Sequence, residues 1–200
     1  MTSSWHDPVT LRGPTLILAP LRLADGPELL AALGPPELAA EVLQHMSYGP
    51  PADLAAARAV VAAALADPDR LAYSQRIAGT GELVGTTSFY EINPVARSIG
   101  IGHTWIAKAH WRTRVNTESK LILLSRAFED LGAERVVWHT DLRNRRSQAA
   151  IERLGATREG VLRHHRIRRD GSWRDTVQYS MLSADWPAAE SRLRAAILPT

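Results

Sequence analysis

The amino-acid sequence predicts an α/β (α+β) fold, with a mixed, mostly antiparallel central sheet flanked by helices. The order of its segments carries this prediction: a strand, helices, three antiparallel strands, a helix, a strand, a helix and further strands. The chain has 200 residues, of which 45% are hydrophobic, enough to bury one substantial core. Nothing in the sequence indicates a second domain, and we expect a single domain over residues 1–200.

The first third of the chain predicts a strand followed by helices. Leu16 to Leu18 form the strand after Gly13-Pro14. Residues 22–33 have a helical pattern, with Asp25 as the expected cap, and a shorter helix is expected around residues 37–45. The alanine-rich stretch 53–66 has strong helix propensity and ends at a proline, which favours helix termination.

Three strands come next, at residues 71–77, 83–90 and 99–106. The first two are joined by Ala-Gly-Thr-Gly, which has the composition of a hairpin turn. The third mixes β-branched, aromatic and glycine residues, as a strand with a bulge does.

The remainder alternates again between helices and strands. Apolar residues from Val115 to Leu131 are spaced as on one helix face. A strand at 136–138 leads to a helix that starts near Asn144 and closes at Gly155, and a further strand is expected at 174–180. The segment 187–197 predicts a C-terminal helix.

Composition excludes several classes of protein and site. No apolar run approaches the roughly 20 residues that a bilayer span needs, and Met1 to Pro8 lack the pattern of a secretory signal, so we expect a cytoplasmic protein. The absence of cysteine excludes disulfides, cysteine zinc sites and acyl transfer through a cysteine. The net charge is only +3, but arginines cluster at 143–146 and 163–169. A solvated face is the ordinary explanation of such clusters.

The junction from His110 to Lys120 has the features of a phosphate site. It lies between a predicted strand and a predicted helix, whose first turn exposes unpaired N–H groups and the positive end of the helix dipole. Arg112, Arg114 and Lys120 add positive charge nearby. A pyrophosphate is the expected ligand.

Several motifs together resemble one family. They are the Trp111-to-Lys120 junction, the element Asn144-x-x-Ser147 ending in Leu-Gly-Ala, the pair Glu159-Gly160, and the strand from Arg174 to Ser180. From about Thr15 to Trp186 the chain resembles the GNAT acetyltransferase superfamily and, within it, the RimJ/RimL-like N-acetyltransferases. The Glu159-Gly160 pair suits a bend after the preceding helix.

The resemblance implies a sheet that splays between its fourth and fifth strands, here Ile99–Ile106 and Val136–Thr140, with acetyl-CoA entering the gap and no metal required. It implies transfer of an acetyl group to a primary amine, either a protein N-terminus or a small molecule such as a polyamine, amino acid or aminoglycoside. The expected cofactor-binding residues are Thr104, Trp105, Ile106, Arg112, Thr113, Arg114, Val115, Asn116, Thr117, Asn144 and Ser147.

The sequence departs from the family pattern at three places. The loop that usually brings glycines to the pyrophosphate holds Trp111, Arg112, Arg114 and Asn116, so side chains are expected to replace part of the backbone contact. Ile151 stands where a tyrosine often protonates the thiolate. A glutamate common two positions before Gly102 is replaced by glycine.

These departures shape the catalytic assignments. His103 is the predicted base, with Glu91 and His165 as second choices, and Ser147 is the predicted hydroxyl beside the leaving thiolate. Tyr90, Trp138 and Tyr179 are candidates for the acceptor pocket.

Two other functions stay open at this point. One is a module that binds CoA or acyl-CoA with little or no turnover. The other is an RNA- or ribosome-associated protein that uses the basic segment 163–174. Edge strands and the C-terminal helix also make a homodimer possible, whereas the sequence does not specify the acceptor.

Overall fold

The computed structural model of the chain describes residues 4–198. Its strands are β1 (Leu11–Arg12), β2 (Leu16–Pro20), β3 (Arg70–Ile77), β4 (Leu83–Asn93), β5 (Ser98–Ile106), β6 (Arg135–Asp141), β7 (Thr157–Ile167) and β8 (Trp173–Leu182). They form one eight-stranded sheet in the order β1-β2-β3-β4-β5-β6-β8-β7. The predicted mixed, mostly antiparallel sheet is confirmed.

The helices lie between these strands and at the C-terminal end. They are α1 (Gly26–Leu33), α2 (Pro36–Val42), α3 (Leu54–Ala66), α4 (Val115–Ser125), α5 (Arg145–Arg153) and α6 (Trp186–Ile197). The chain continues past α4 in a π-helical turn at Arg126–Asp130. Asp53 caps α3 by accepting the Ala56 N–H.

The sheet opens between β5 and β6. This is its parallel pair, because α4 forms the crossover between the two strands. The ladder covers only three residue pairs, from Ser98 opposite Arg135 to Gly100 opposite Val137, and the strands diverge after it. The expected splay is therefore confirmed, although the two-residue strand β1, which the sequence did not predict, makes these the fifth and sixth strands.

Helices cover the sheet unequally. The apolar side chains of α1, α2 and α3 form one cluster that includes Ala72, Leu83 and Trp105. Those of α4, α5 and α6 form a larger cluster with residues of every strand, among them Val136, Trp138 and Val177, and β7 adds the partly buried Val161. Strand alternation directs His139 and Gln178 to the opposite side of β6 and β8 from this larger cluster. We call this side of β6, β8 and β7 the polar face.

Two local predictions are wrong. Glu159-Gly160 lies inside β7 instead of forming a bend, because Glu159 accepts hydrogen bonds from Arg135, Gln178 and Ser180 on the polar face. Bonding to Arg135, aided by Gln178 and Ser180 against the opposing effect of burial, lowers the pKa of Glu159 to about 2. Asp25 precedes α1 but does not cap it with its side chain. Its carboxylate accepts from the Arg22 N–H and from Arg76 instead.

Within residues 4–198, no helix has the length and apolar character needed to cross a bilayer. The expectation about Met1 to Pro8 falls partly on residues 1–3, which lie outside the described range, as do residues 199 and 200.

Candidate functional site

The divergence of β5 and β6 creates a cleft of about 800 Å³. On one side it is bordered by residues of the segment between α2 and α3, and on the other by residues of α4 and α5. Most of the site residues predicted from the sequence line this one cleft: His103, Thr104, Trp105, Ile106, Arg112, Thr113, Asn116, Thr117, Asn144 and Ser147.

A bulge in β5 shapes the wall of the cleft. The register with β4 shifts between Thr86 and Ser88, and His103 takes a left-handed backbone conformation with φ of 49°. A non-glycine residue in this region is strained and is held there by its surroundings. The carbonyl oxygens of Trp105 and Ile106 already accept bonds, from Gln75 Nε2 at 3.2 Å and Trp111 Nε1 at 2.7 Å. The Ala107 N–H donates to the Val84 carbonyl oxygen of β4, and successive N–H groups of a strand point to opposite edges, so we expect Ile106 to direct its N–H away from β4 and toward a ligand.

The loop between β5 and α4 forms a mouth suited to an anion. Arg112 has a left-handed φ of 60°, and Asn116 and Thr117 lie partly buried in the first turn of α4, where they line the cleft. The N–H groups and dipole of that turn favour negative charge. Thr113 Oγ1 donates to the His110 carbonyl oxygen and accepts from the Val115 N–H, which fixes the loop.

Arg114 and Val115 do not line the cleft. The Arg114 guanidinium donates to the Ile197 carbonyl oxygen at 3.1 Å, where it complements the negative end of the α6 dipole. Val115 is 5% exposed and packs in the core. The structure therefore does not support the expected side-chain contacts of these two residues with the cofactor.

The start of α5 closes the opposite side of the cleft. Asn144 Oδ1 accepts the Ser147 N–H at 3.0 Å, so Asn144 is the N-cap of the helix. Ser147 lies in its first turn and lines the cleft. Arg146 stacks on the Trp111 ring at 3.9 Å, and Lys108 lies 4.4 Å from the same ring. The Trp111–Arg146 contact thus joins the β5–α4 loop to α5.

His103 is uncharged at neutral pH. Burial, with the positive charges of Arg70 and Arg166, lowers its pKa to about 4. A group with this pKa is a weak base at neutral pH, so the assignment of His103 as the general base stays a prediction that its environment weakens. The second choices for the base, Glu91 and His165, both lie next to His139. The Glu91 carboxylate is 3.7 Å from His139, and the His165 ring centroid is 5.9 Å from that of His139.

Sequence reasoning missed a tyrosine–histidine pair in the cleft. The Tyr90 hydroxyl lies 3.0 Å from His139 Nδ1, and burial raises the pKa of Tyr90. Its ring fills the space beside two glycines, since a Cβ atom at Gly100 or Gly102 would lie 2.7 or 2.8 Å from it. The sequence held one signal for this packing. Two glycines stand two positions apart in one predicted strand, and an aromatic residue lies opposite them in the neighbouring predicted strand.

It also missed the environment of Lys120. The side chain is buried at the cleft, where Nζ donates to Thr104 Oγ1 at 2.8 Å and Thr87 Oγ1 at 3.3 Å. Burial lowers the pKa of Lys120 to about 7. The sequence predicted only a positive charge near the helix start, because the threonines belong to strands that precede it by many residues.

The basic segment 163–174 is divided among different surroundings. Arg168 forms an ion pair with Asp141, while Arg166 and Arg174 line the cleft. His164 stacks on Trp173, with ring centroids 5.2 Å apart. The segment is thus divided among an ion pair, a stacked pair of rings and the lining of the cleft.

The aromatic residues considered for the acceptor pocket are also separated. Tyr90 and Trp138 line the cleft. Tyr179 is buried in the core and donates to Glu152 Oε1 at 2.8 Å, so it does not line the cleft.

Comparison with known proteins agrees with this geometry. Residues 15–157 match the model of the acetyltransferase (GNAT) domain. A Bacillus subtilis (strain 168) protein described as "Putative ribosomal N-acetyltransferase YdaF" is 34% identical over 106 residues, which cover 53% of this chain and 57% of that protein. The chain thus spans little more than half the length of this curated relative.

Solved structures extend the similarity over nearly the whole chain. An acetyltransferase structure from T. thermophilus is 39% identical, with a TM-score of 0.87, covering 98% of this chain and 100% of the other. Mycobacterium smegmatis RimJ, solved in complex with CoA-disulfide, shares the fold at 21% identity and a TM-score of 0.75, covering 94% and 95% of the two chains. The chain belongs to the GNAT acetyltransferase family, in agreement with the resemblance seen in its sequence.

Proposed function

We propose that this protein is an acetyl-CoA-dependent N-acetyltransferase that moves the acetyl group to a primary amine by direct attack in a ternary complex. The observation that carries the proposal is the cleft between β5 and β6. It has an anion-binding mouth at the start of α4 and a group of titratable side chains, Tyr90, His103 and His139, where the two strands begin to separate.

The residues present fit an extended thioester cofactor. Beyond Gly100 and Val137 the facing edges of β5 and β6 have no ladder partner in the described chain. Such an edge pairs readily with a ligand arm that contains amides. The N–H groups and side chains of Arg112, Asn116 and Thr117 offer donors to a pyrophosphate at the mouth.

The proposed reaction joins the acceptor nitrogen to the thioester carbonyl carbon and breaks the carbon–sulfur bond. The nitrogen loses a proton, which passes to a base or through water to solvent. His103 stays the predicted base, and the Tyr90–His139 pair gives a second route for that proton. Ser147 remains the predicted donor to the departing thiolate, a role that solvent can also fill because a thiolate is a fair leaving group.

The nature of the acceptor and the location of the protein belong to this proposal. The relative whose description names a ribosomal N-acetyltransferase supports a protein N-terminus as one acceptor class. An acceptor of this kind supports a cytoplasmic location. A homodimer stays a prediction: α6 directs Trp186, Ala189 and Leu193 into the core, which leaves the edge strands for such a contact.

The test combines two measurements on the purified protein. Calorimetry with CoA and acetyl-CoA is expected to show binding, and a thiol assay with a panel of amines is expected to show CoA release that depends on the amine. Binding without release for every amine would favour the CoA-binding module instead. The absence of heat with either form of the coenzyme would contradict both functions.

A further inference from the structure

Two arginines face each other on the polar face next to the reacting end of the cleft. Arg166 on β7 is the direct cross-strand neighbour of Arg174 on β8, and both side chains line the cleft. Like charges directly opposite each other in a sheet destabilise it. The pair therefore needs a compensating negative charge.

The chain itself supplies little of that charge. Asp141 is the one acidic residue among the described residues that line the cleft. Its two carboxylate oxygens accept from Arg168, at 2.6 Å from Nε and 2.9 Å from Nη2, and one of them also accepts the Arg143 N–H. Although burial opposes it, this bonding holds the pKa of Asp141 below its usual value. Asp141 thus bonds to another arginine and acts on Arg174 only through its charge.

The other nearby carboxylate, that of Glu91, makes only a long ion pair with Arg166. Glu91 Oε1 lies 4.0 Å from Arg166 Nη2, and the Glu91 side chain is half exposed. Arg174 has a buried Nε atom with no hydrogen-bond partner in the described chain. A buried donor without a partner costs free energy. The Arg174 side chain as a whole is only partly buried and lines the cleft, where a ligand can reach it.

The arginine pair lies near the titratable side chains of the cleft. The charges of both arginines act on Tyr90 and on His103, and that of Arg174 also acts on His45, so all these groups share one region of the cleft. This region lies toward the polar face, whereas the anion-binding mouth lies at the start of α4. The arginine pair and the anion-binding mouth therefore belong to different elements, β7 and β8 for the pair and the β5–α4 loop with the start of α4 for the mouth.

We propose that Arg166 and Arg174 bind a carboxylate on the acceptor, so that the favoured substrate is a primary amine that also carries a negative charge. This inference rests on the proposed function and narrows it. Among the acceptor classes open from the sequence, it favours amino acids and peptides with an acidic residue near their N-terminus. It disfavours polyamines and aminoglycosides, whose positive charges would meet two neighbouring guanidinium groups.

The experiment compares acceptors that differ in one charge. For free amino acids the pair is serine and serinamide. For peptides the pair is Ser-Asp-Ala and Ser-Asn-Ala with amidated C-termini. The kcat/KM of each acceptor is measured at saturating acetyl-CoA, and spermidine serves as the polycationic comparison. The two pairs separate an α-carboxylate from a side-chain carboxylate as the source of the charge.

The variants are Arg174→Gln and Arg166→Gln, with Arg163→Gln as the matched control. Arg163 is an exposed arginine of the same strand as Arg166 that does not line the cleft. Each cleft variant is expected to lower the ratio of kcat/KM for the charged acceptor over its neutral partner by about 10- to 100-fold, as for the loss of a hydrogen bond to a charged group. The control should leave the ratio unchanged, and Arg174→Lys should restore part of it.

The outcomes distinguish this inference from the proposed function. Equal kcat/KM for charged and neutral acceptors, or an unchanged ratio in both cleft variants, would overturn the carboxylate assignment while amine-dependent CoA release still stood. Preferred acetylation of spermidine would overturn it as well. If no amine releases CoA, the proposed function itself fails. Because each ratio is taken within one variant, a partial loss of folded protein cancels.

Discussion

Single residues at the cleft show how closely side chains and backbone are matched. The Tyr90 ring occupies the space that side chains at positions 100 and 102 would otherwise fill. Both positions are glycine, so the ring can approach the β5 backbone and place its hydroxyl on His139. Gly100, which stands where the resemblance implies a glutamate, thus leaves the space that the Tyr90 ring fills.

A methyl group at Gly100 tests this packing. We expect Gly100→Ala to lower the free energy of unfolding by about 1–3 kcal/mol, the usual cost of overpacking a buried site. Urea unfolding measures the loss. Gly160→Ala is the control, because nothing lies within 4 Å of a Cβ atom there. In a Tyr90→Ala background the Gly100→Ala cost should largely disappear, and additive costs would contradict the proposed contact.

The buried ammonium of Lys120 makes stability depend on pH. Its pKa is about 7 in the folded protein against 10.5 for an unperturbed lysine. Between these values the unfolded chain holds a proton that the folded protein lacks, so this group's contribution to stability rises with pH. Below pH 7 the folded protein carries the buried charge, and the full penalty applies.

We therefore expect Lys120→Met to be more stable than the native protein at pH 6 by up to a few kcal/mol, less the loss of the threonine contacts. The gain should shrink as pH rises from about 7 to about 10. Denaturant unfolding across this range measures it. Lys108→Met, at the surface beside Glu41, is the control for deleting a lysine elsewhere. A difference that does not change with pH would contradict the account.

At the scale of elements, α3 and α5 begin with the same kind of N-cap but have different roles. Asn144 caps α5 at the cleft and Asp53 caps α3 away from the anion-binding mouth, each by accepting an N–H three residues ahead. The first cap orients Ser147 and the start of α5 toward the cleft, whereas the second cap only begins a helix that packs on the other face.

The two caps form a matched pair of variants. Asn144→Ala and Asp53→Ala should each lower the free energy of unfolding by about 1 kcal/mol. Asn144→Ala alone should also raise the KM for acetyl-CoA, because the helix start faces the cleft. Thermal unfolding and steady-state kinetics measure the two effects. Equal changes of KM in both variants would show that α5 has no special part in binding. Arg114→Ala is no longer expected to act through a direct side-chain contact.

At the scale of the whole molecule, the carboxylate of Glu118 connects α4 to the start of the sheet. Glu118 of α4 is buried and accepts from the Thr15 N–H at 2.7 Å, the Thr15 hydroxyl at 2.5 Å and the Leu16 N–H at 2.8 Å. These bonds span about a hundred positions of sequence. They fix α4 against β2 while the other side of α4 faces the cleft.

Removing this carboxylate should destabilise the whole fold. We expect Glu118→Ala to lower the free energy of unfolding by at least about 3 kcal/mol, because several buried donors lose a charged acceptor. Glu190→Ala, which removes a surface pair with Arg194 on α6, should cost about 0.5 kcal/mol or less. Urea unfolding compares the two. Similar small losses would mean that α4 is held mainly by its apolar packing.

The sequence by itself determined the order of most elements, its resemblance to a known family implied the splayed pair of strands, and most of the site residues that it predicted line the cleft. These features are local or follow from motifs: apolar spacing gives helices and strands, a capping Asn144 starts α5, and the strand–helix junction at 110–120 marks an anion site. The two-residue strand β1 was not predicted, because so short a segment has no hydrophobic pattern of its own.

Only the tertiary structure decided where individual charges point. Arg114 and Arg112 are two positions apart, yet the first binds the end of α6 and the second lines the cleft. Lys120 became a buried group through threonines of β4 and β5, and Arg166 and Arg174 became neighbours through strand register. The physical reason is that the partner of a long charged side chain is set by packing between distant segments, which leaves no local periodicity to read.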